Sequence, residues 1–284
     1  MSITLFAPLV PAIVAFGVLG LVFWRRRSRG ERPPVESRLL RPAGHSLRLR
    51  QEALSEDMML SLVSSLITAL SFGYSLQIDR SNKPLTLILL VVSLGLICAF
   101  FVIRLVSKAR QYRSVRLGCL GEQMVAEELD PLREDGYRIF HDFPGGPNWN
   151  IDHIAIGPGG LFAIETKVRS KRRAVSTQKE HEVFFEGNAL RFPWGKDCKA
   201  SAQARRNAEA LAKFVNDSTG ESHEVVPLLV LPGWYVTSKE RSDVRVISGR
   251  RLAKFIHGFK PRLTAEQIQR CAFQVEQKCR DVEF

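Results

Sequence analysis

An α/β domain preceded by helices of membrane length is the architecture this sequence predicts, on three observations. Most of the apolar excess lies before residue 107, whereas most of the charged residues lie after it. Two short apolar runs, Ile151 to Ile156 and Leu161 to Val168, flank Gly157-Pro158-Gly159-Gly160, the pattern of a β-hairpin with a tight turn. Apolar residues then recur at helical spacing in three stretches, 117–129, 200–215 and 264–282.

The N-terminal part divides into apolar and basic blocks. Ile3 to Trp24 carries no charge, and its 22 residues would span about 33 Å as a helix, enough for a hydrocarbon core of about 30 Å. No basic residue precedes it, and Arg25 to Arg27 and Arg29 follow, so residues 1–24 read as a signal anchor with its N-terminus outside rather than as a cleaved leader. Residues 25–57 are polar and arginine-rich with Pro33, Pro34 and Pro42, the composition of a basic cytoplasmic linker with a short helix near its end. Residues 58–106 hold two further candidate spans, 58–78 and 84–106, which form a helical hairpin if both cross. Ser61, Ser64, Ser65, Ala69 and Gly73 offer a small-residue face for helix packing. Three crossings place Arg104, Lys108, Arg110, Arg113 and Arg116 on the cytoplasmic side, so the expected location is the cell membrane, multi-pass, with the C-terminal domain cytoplasmic. The formal charge of +12 divides equally between residues 1–106 and 107–284; the first share suits anionic lipid headgroups and the second a polyanionic substrate.

From Leu117 the pattern is that of a soluble domain. Leu117, Leu120, Met124, Val125 and Leu129 define an amphipathic helix with Gly121-Glu122 near its start. Tyr137 to Phe143 reads as a strand, 144–150 as a loop, and His181 to Phe192 as a hairpin turning at Gly187-Asn188. Ala200 to Val215 is a helix with Ala204, Ala208, Leu211, Ala212 and Val215 on its apolar stripe, and Val225 to Leu231 is a buried strand. Val244 to Ile247 is a short edge strand, followed by a helix at 249–257. Residues 263–284 form a closing amphipathic helix, opened by a Thr264-x-x-Gln267 capping box, that covers the sheet or meets a second copy of the chain.

The chemistry concentrates on the central hairpin. Alternation along a strand puts Glu165 and Lys167 on one face and Phe162, Ile164 and Thr166 on the other, a chemical face and a core face. Hairpin register can bring Asp152 beside Glu165, and two carboxylates about 4 Å apart repel by roughly 4 kcal/mol at an effective dielectric near 20. A hard divalent cation, Mg²⁺ or Mn²⁺, would relieve that repulsion, with Lys167 alongside to orient water or contact phosphate. The same residue types also serve as solvated face residues and ion pairs. His153 alternates away from Asp152, toward a buried position. Arg169, Lys171, Arg172 and Arg173 leave directly from this edge, either as a solvated run or as phosphate contacts.

The segments G-C-L-G-E-Q-M-V-A-E-E-L, I-D-H-I-A-I, G-L-F-A-I-E-T-K and A-Q-A-R-R-N-A-E-A-L, in that order, resemble the nuclease-related domain (NERD) family of the PD-(D/E)xK nuclease superfamily. The resemblance runs from about Leu117 to Phe255. It implies a restriction-endonuclease-like mixed sheet flanked by helices, within a domain over 107–262. It also implies a catalytic set of Glu122, Asp152, Glu165, Lys167 and Gln203, in which Glu122 joins Asp152 and Glu165 at the metal and Gln203 faces them from its helix. Without the resemblance, Glu122 and Gln203 read as solvated helical residues. The expected function is a membrane-anchored, metal-dependent nuclease acting on nucleic acid, DNA ahead of RNA. The alternative is a non-catalytic module binding nucleic acid or a protein partner at the membrane, and a homo-oligomer is compatible with either.

Other classes find no support in the residues. There is no G-x-x-x-x-G-K-[ST] loop for a P-loop ATPase and no H-E-x-x-H. Cys98, Cys119, Cys198, Cys271 and Cys279 lack zinc or redox spacing, and Cys271 and Cys279 suit a helix interior. The apolar spans carry no interior ionisable residue that would mark an ion path.

Overall fold

The computed structural model describes residues 38–78, 84–146, 149–171, 181–240 and 242–282. The expected span over 3–24, the linker up to residue 37, and Arg172 and Arg173 lie outside the described residues. The chain divides into two units, one containing Arg50–Ser114 and the other Ser37–Leu49 with Val115–Phe284.

In the first unit, helix α1 (His45–Ile78) and helix α2 (Pro84–Leu129) are each continuous and run on into the second. Both are long and apolar enough to cross a bilayer. Large side chains such as Leu66, Leu70, Leu96, Phe100 and Ile103 lie exposed along them. The small residues Ser61, Ser65 and Ala69 line a cleft between the two helices together with Phe101 and Val102. Lys108 pairs with Asp57 at 2.5 Å, and the Gln51 amide donates to the Tyr112 hydroxyl at 2.9 Å.

Both helices correct the boundaries expected from the sequence. Residues 45–57 are helical rather than linker, and the stretch around 107 continues a helix rather than opening a domain. No proline falls between Pro84 and Pro131, and arginine and lysine propagate a helix as well as leucine does. The change from apolar to charged therefore alters what α2 faces without breaking it, until Asp130–Arg133 tightens into a 3₁₀ turn at Pro131. Leu120 and Met124, expected on the apolar stripe, are about half exposed; the buried line is Val115, Cys119, Glu122, Val125 and Leu129.

The second unit is built on a five-stranded mixed sheet of β2 (Arg138–Gly146), β3 (Trp149–Gly157), β4 (Gly160–Thr166), β8 (Val225–Leu231) and β10 (Arg245–Ser248), in the order β10-β8-β4-β3-β2. The β2-β3-β4 meander is antiparallel, and β4, β8 and β10 are parallel. The hairpin predicted around Gly157-Pro158-Gly159-Gly160 is present, with Gly157 opposite Gly160 and Gly160 at φ 126, a region that glycine enters without steric cost. A second sheet of β5 (Glu182–Glu186), β6 (Ala189–Phe192), β7 (Gly195–Asp197) and β9 (Tyr235–Ser238) lies beside it, in the order β7-β6-β5-β9.

Helices cover both faces of the main sheet. Leu211 and Val215 of α3 (Lys199–Thr219), with Cys271 and Val275 of α5 (Ala265–Cys279), pack on Ile154, Ile156, Leu161 and Ala163. Val125 and Leu129 of α2 and Leu252 and Ile256 of α4 (Leu252–His257) pack on Ala155, Phe162, Ile164 and Leu228. All seven residues of β4 are buried, so the expectation of one chemical face and one core face is corrected: both are core, and the polar groups are set into one of them. The closing helix covers the sheet, and its capping box forms as expected, with Thr264 Oγ1 accepting from Gln267 N and Gln267 Oε1 accepting from Thr264 N. Val282, placed on that helix from the sequence, lies instead in β11 (Arg280–Val282), which pairs with β1 (Leu39–Leu40).

Thr264→Ala removes one half of that box. A loss of about 1 kcal/mol is expected, lowering the thermal unfolding midpoint by about 2–4 °C, as followed by circular dichroism.

Candidate active site

The site begins with the pairing of β3 and β4. His153 stands opposite Ile164, and one step along the same register sets Asp152 across from Glu165. Both side chains are buried, and so is Glu122 on α2. Asp152 Oδ2 accepts from the Thr166 backbone N–H at 2.7 Å, and Glu165 Oε2 accepts from the Asn207 side-chain amide on α3 at 2.9 Å. The Lys167 backbone N–H donates to the Val230 carbonyl at 2.8 Å, extending the β4–β8 ladder by one residue. These groups therefore lie where β4 and β8 finish, the end of an open α/β sheet at which ligand sites commonly form.

Burial and mutual repulsion act together on the three acids. Desolvation, then Asp152 and Asp142, pushes Glu122 up to about 9, with the nearby Gly44 backbone N–H offsetting part of the rise. Desolvation pushes Asp152 up to about 7, against the pull of the Thr166 amide and of Lys167. Glu165 is pushed well above the usual carboxylate range by desolvation, Asp152 and Glu122, with Lys167 and Asn207 opposing. Glu122 Oε2 is buried without a hydrogen-bond partner. Carboxylates held this way take up a proton or a cation.

A fourth acid stands behind them. Asp142 interrupts β2 with a positive φ of 51° and is wholly buried, yet every lobe of its carboxylate is answered. Ser46 donates through its hydroxyl at 2.6 and 2.7 Å and its backbone N–H at 3.1 Å, Arg41 donates at 3.3 Å, and the Asn150 amide closes on Oδ1. Arg41 also grips Asp281 of β11 at 2.5 Å. Residues 38–49 thus form a strap that ties the β2 edge to the C-terminal strand. Gly118 on α2 admits it, since a Cβ there would meet Leu47 Cδ1 at 3.0 Å; Gly121 on the same helix instead admits Val168 beyond β4.

His153 is buried as expected, with its Nδ1 2.8 Å from that of His141, so one imidazole donates to the other. Burial holds His141 down at about 4 and His153 well below its ordinary range. This pair lies on the side of β3 away from Asp152.

The geometry also places the remaining expected site residues. Gln203 is half-buried one turn before Asn207 and makes no hydrogen bond to Asp152, Glu165 or Glu122, so the amide on Glu165 belongs to Asn207. A polar side chain interrupting the Ala204, Ala208, Leu211 stripe was the signal for it. Arg169 is engaged by Asp197 at 2.5 Å and Lys171 lies 5.9 Å from the Trp234 ring, so both have partners within the fold. Asp142, Ser46 and Arg41 were missed because their alignment needs three distant segments to meet.

The donor set fits a hard cation in chemistry, being all oxygen with one orphaned buried atom. In arrangement it is sparing: among the described residues no three His, Cys, Asp or Glu side chains are grouped to hold a metal ion. The fit is to two carboxylates, a number that suits Mg²⁺ with water completing its shell.

Residues 117–232, less than half of the chain, match the family model of the nuclease-related domain. The chain carries a NERD domain. NERD belongs to the PD-(D/E)xK-like nuclease superfamily, and the matched range runs from Glu122 through the β3–β4 hairpin and Asn207 to the end of β8. No curated protein and no solved structure matches this chain. The strap and the helix α5 that complete the NERD sheet lie outside the matched range.

Because folded Glu122 holds its proton more tightly than the unfolded chain does, its contribution to stability is fully present below about pH 4.5 and is lost as pH rises through about 9. In chelator, the denaturant midpoint of the native chain should decline over that interval, and Glu122→Gln should flatten the decline; equal slopes would contradict the assignment. Ser46→Ala strips the hydroxyl donor, whose one proton is shared between the two oxygens of a buried carboxylate, and should cost about 1–3 kcal/mol by the same measurement.

Proposed function

We propose that this protein is a metal-dependent nuclease with a restriction-endonuclease-like domain, held at the cytoplasmic face of a membrane by its apolar helices. The observation that carries the reading is the burial of Asp152 and Glu165 side by side at the end of β4, with Lys167 adjacent and Glu122 electrostatically coupled to both. A purely structural site would gain nothing from acids that raise one another's proton affinity.

In this reading Asp152 and Glu165 hold Mg²⁺ or Mn²⁺, and Glu122 acts from α2 through the charge it adds. A cation bound there supplies a Lewis acid for a phosphoryl oxygen and acidifies its water. Asn207 fixes the rotamer of Glu165, and the Thr166 backbone amide fixes that of Asp152. The Lys167 ammonium stands where negative charge develops on the scissile phosphate and stabilises it. Two helices N-terminal to the NERD domain, long and apolar enough to cross a bilayer, support anchoring, and the basic residues 104–116 support a cytoplasmic domain.

The test uses the full chain in detergent with DNA and with RNA, each with Mg²⁺ or Mn²⁺. Cleavage is expected, and Asp152→Asn, Glu165→Gln and Lys167→Ala should each reduce it by about 10²-fold or more. Cleavage that survives unchanged in all three sinks the reading. Nucleic-acid binding without cleavage in the native chain would favour a non-catalytic module.

A further inference from the structure

Arg169 is paired with Asp197 and Lys171 lies against Trp234, and a further group of cations stands on another surface. A cleft of about 770 Å³ opens between β9 and β10, which are edge strands of the two sheets. Lys239, Arg245, Arg251 and Lys254 line it over a floor that includes Val246 and Phe255. A second concavity shares Arg245, Lys254 and Phe255 and adds Lys260, so the basic lining continues past the mouth of the first. Glu240 is the one acid lining either among the described residues.

Of the four cations lining the cleft, Lys239 is held by Glu186 at 2.6 Å. Arg205, Arg262 and Arg270 are each held by a carboxylate, at 2.5, 3.3 and 2.6 Å. Arg245, Arg251 and Lys254 are exposed, and among the described residues none of them is in an ion pair. Placing like charges around one cleft is unfavourable unless a polyanion enters it. Half-buried Phe255 lines both concavities, whereas Phe184 and Tyr235 alternate to the face of their strands opposite the lining Phe185, Val236 and Ser238. Lys239 lies 4.6 Å from the Phe184 ring centroid and Arg251 5.5 Å from that of Tyr235, which is 50% exposed. Basic side chains around a lining that includes the Phe255 ring suit unpaired bases, which stack on such a ring while their phosphates follow the cations.

The cleft is separate from the carboxylates. None of Glu122, Asp152, Glu165 and Lys167 lines it, and β8 lies between β4 and β10 in the sheet. We infer that the β9–β10 cleft is a binding site for single-stranded nucleic acid, gripping the backbone away from the carboxylate site. It stands on the cleft alone and does not require that the carboxylates cleave.

The experiment measures binding of fluorescent single-stranded DNA, single-stranded RNA and duplex DNA to the full chain in detergent, in chelator so that no cleavage intervenes. Single strands are expected to bind, with affinity falling as salt rises by a log–log slope of about −0.7 per phosphate contacted. The combined variant Arg245→Ala, Arg251→Ala, Lys254→Ala should weaken binding at least tenfold and make that slope shallower by about 2. These exposed side chains contribute little to folding, so an unchanged unfolding midpoint guards against a trivial loss. Arg270→Ala, a cation paired with Glu221 outside the cleft, should bind as the native chain does, and because the assay runs in chelator its outcome is independent of whether the carboxylates cleave. Undiminished binding by the triple variant overturns the inference, as does equal or tighter binding of duplex or of polyglutamate.

Discussion

The burial of like-charged carboxylates at one end of a strand is the constraint around which the NERD domain is arranged. Asp152, Glu165 and Glu122 come from three elements, and none has a full complement of hydrogen-bond donors. A domain held together by apolar packing tolerates such a group only where the surrounding elements over-determine its geometry. Here α3 and α5 on one face of the sheet and α2 and α4 on the other supply that rigidity. The contrast with Asp142 makes the point. Asp142 is more deeply buried, yet it is satisfied by Ser46, Arg41 and Asn150, and so it serves to hold the chain rather than to meet a ligand.

The strap at 38–49 gives the domain a boundary that cuts across the order of the chain. It reaches Asp142 in β2 and Asp281 in β11, and its Leu47 packs against Gly118 of α2. The same residues lead without interruption into α1, the first of the two apolar helices described. The segment that enters the apolar unit is therefore also a structural part of the NERD unit, and a cut placed between the two by composition alone would remove Arg41 and Ser46 from Asp142.

Polar and charged residues sort into three uses by how they are partnered. Arg205 and Arg270 close ion pairs on the outside of the fold and lock neighbouring segments. Arg169 and Asp197 do the same beside the aromatic cluster of Phe192, Trp194 and Trp234, where the sequence alone suggested a phosphate contact. What is left over, the incompletely hydrogen-bonded acids at the sheet end and Arg245, Arg251 and Lys254 in the β9–β10 cleft, is where the molecule has unspent affinity.

Local pattern by itself determined the hairpin at Gly157 to Gly160, the α3 and α5 stripes, the capping box at Thr264 and the apolar character of the N-terminal helices. Each of these rests on the spacing of neighbouring residues, which the chain carries wherever it folds. The same spacing gave Asp152 and Glu165 as partners, because hairpin register is set by the turn between them. Tertiary structure alone decided that Asn207 rather than Gln203 meets Glu165, that both faces of β4 are core, and that α2 runs unbroken through the change from apolar to charged. It also decided that Arg41, Ser46, Asp142 and Asp281 form one network. Those outcomes depend on which helix lies over which strand and on segments some hundred residues or more apart meeting in space, and side-chain spacing along one element carries no record of either.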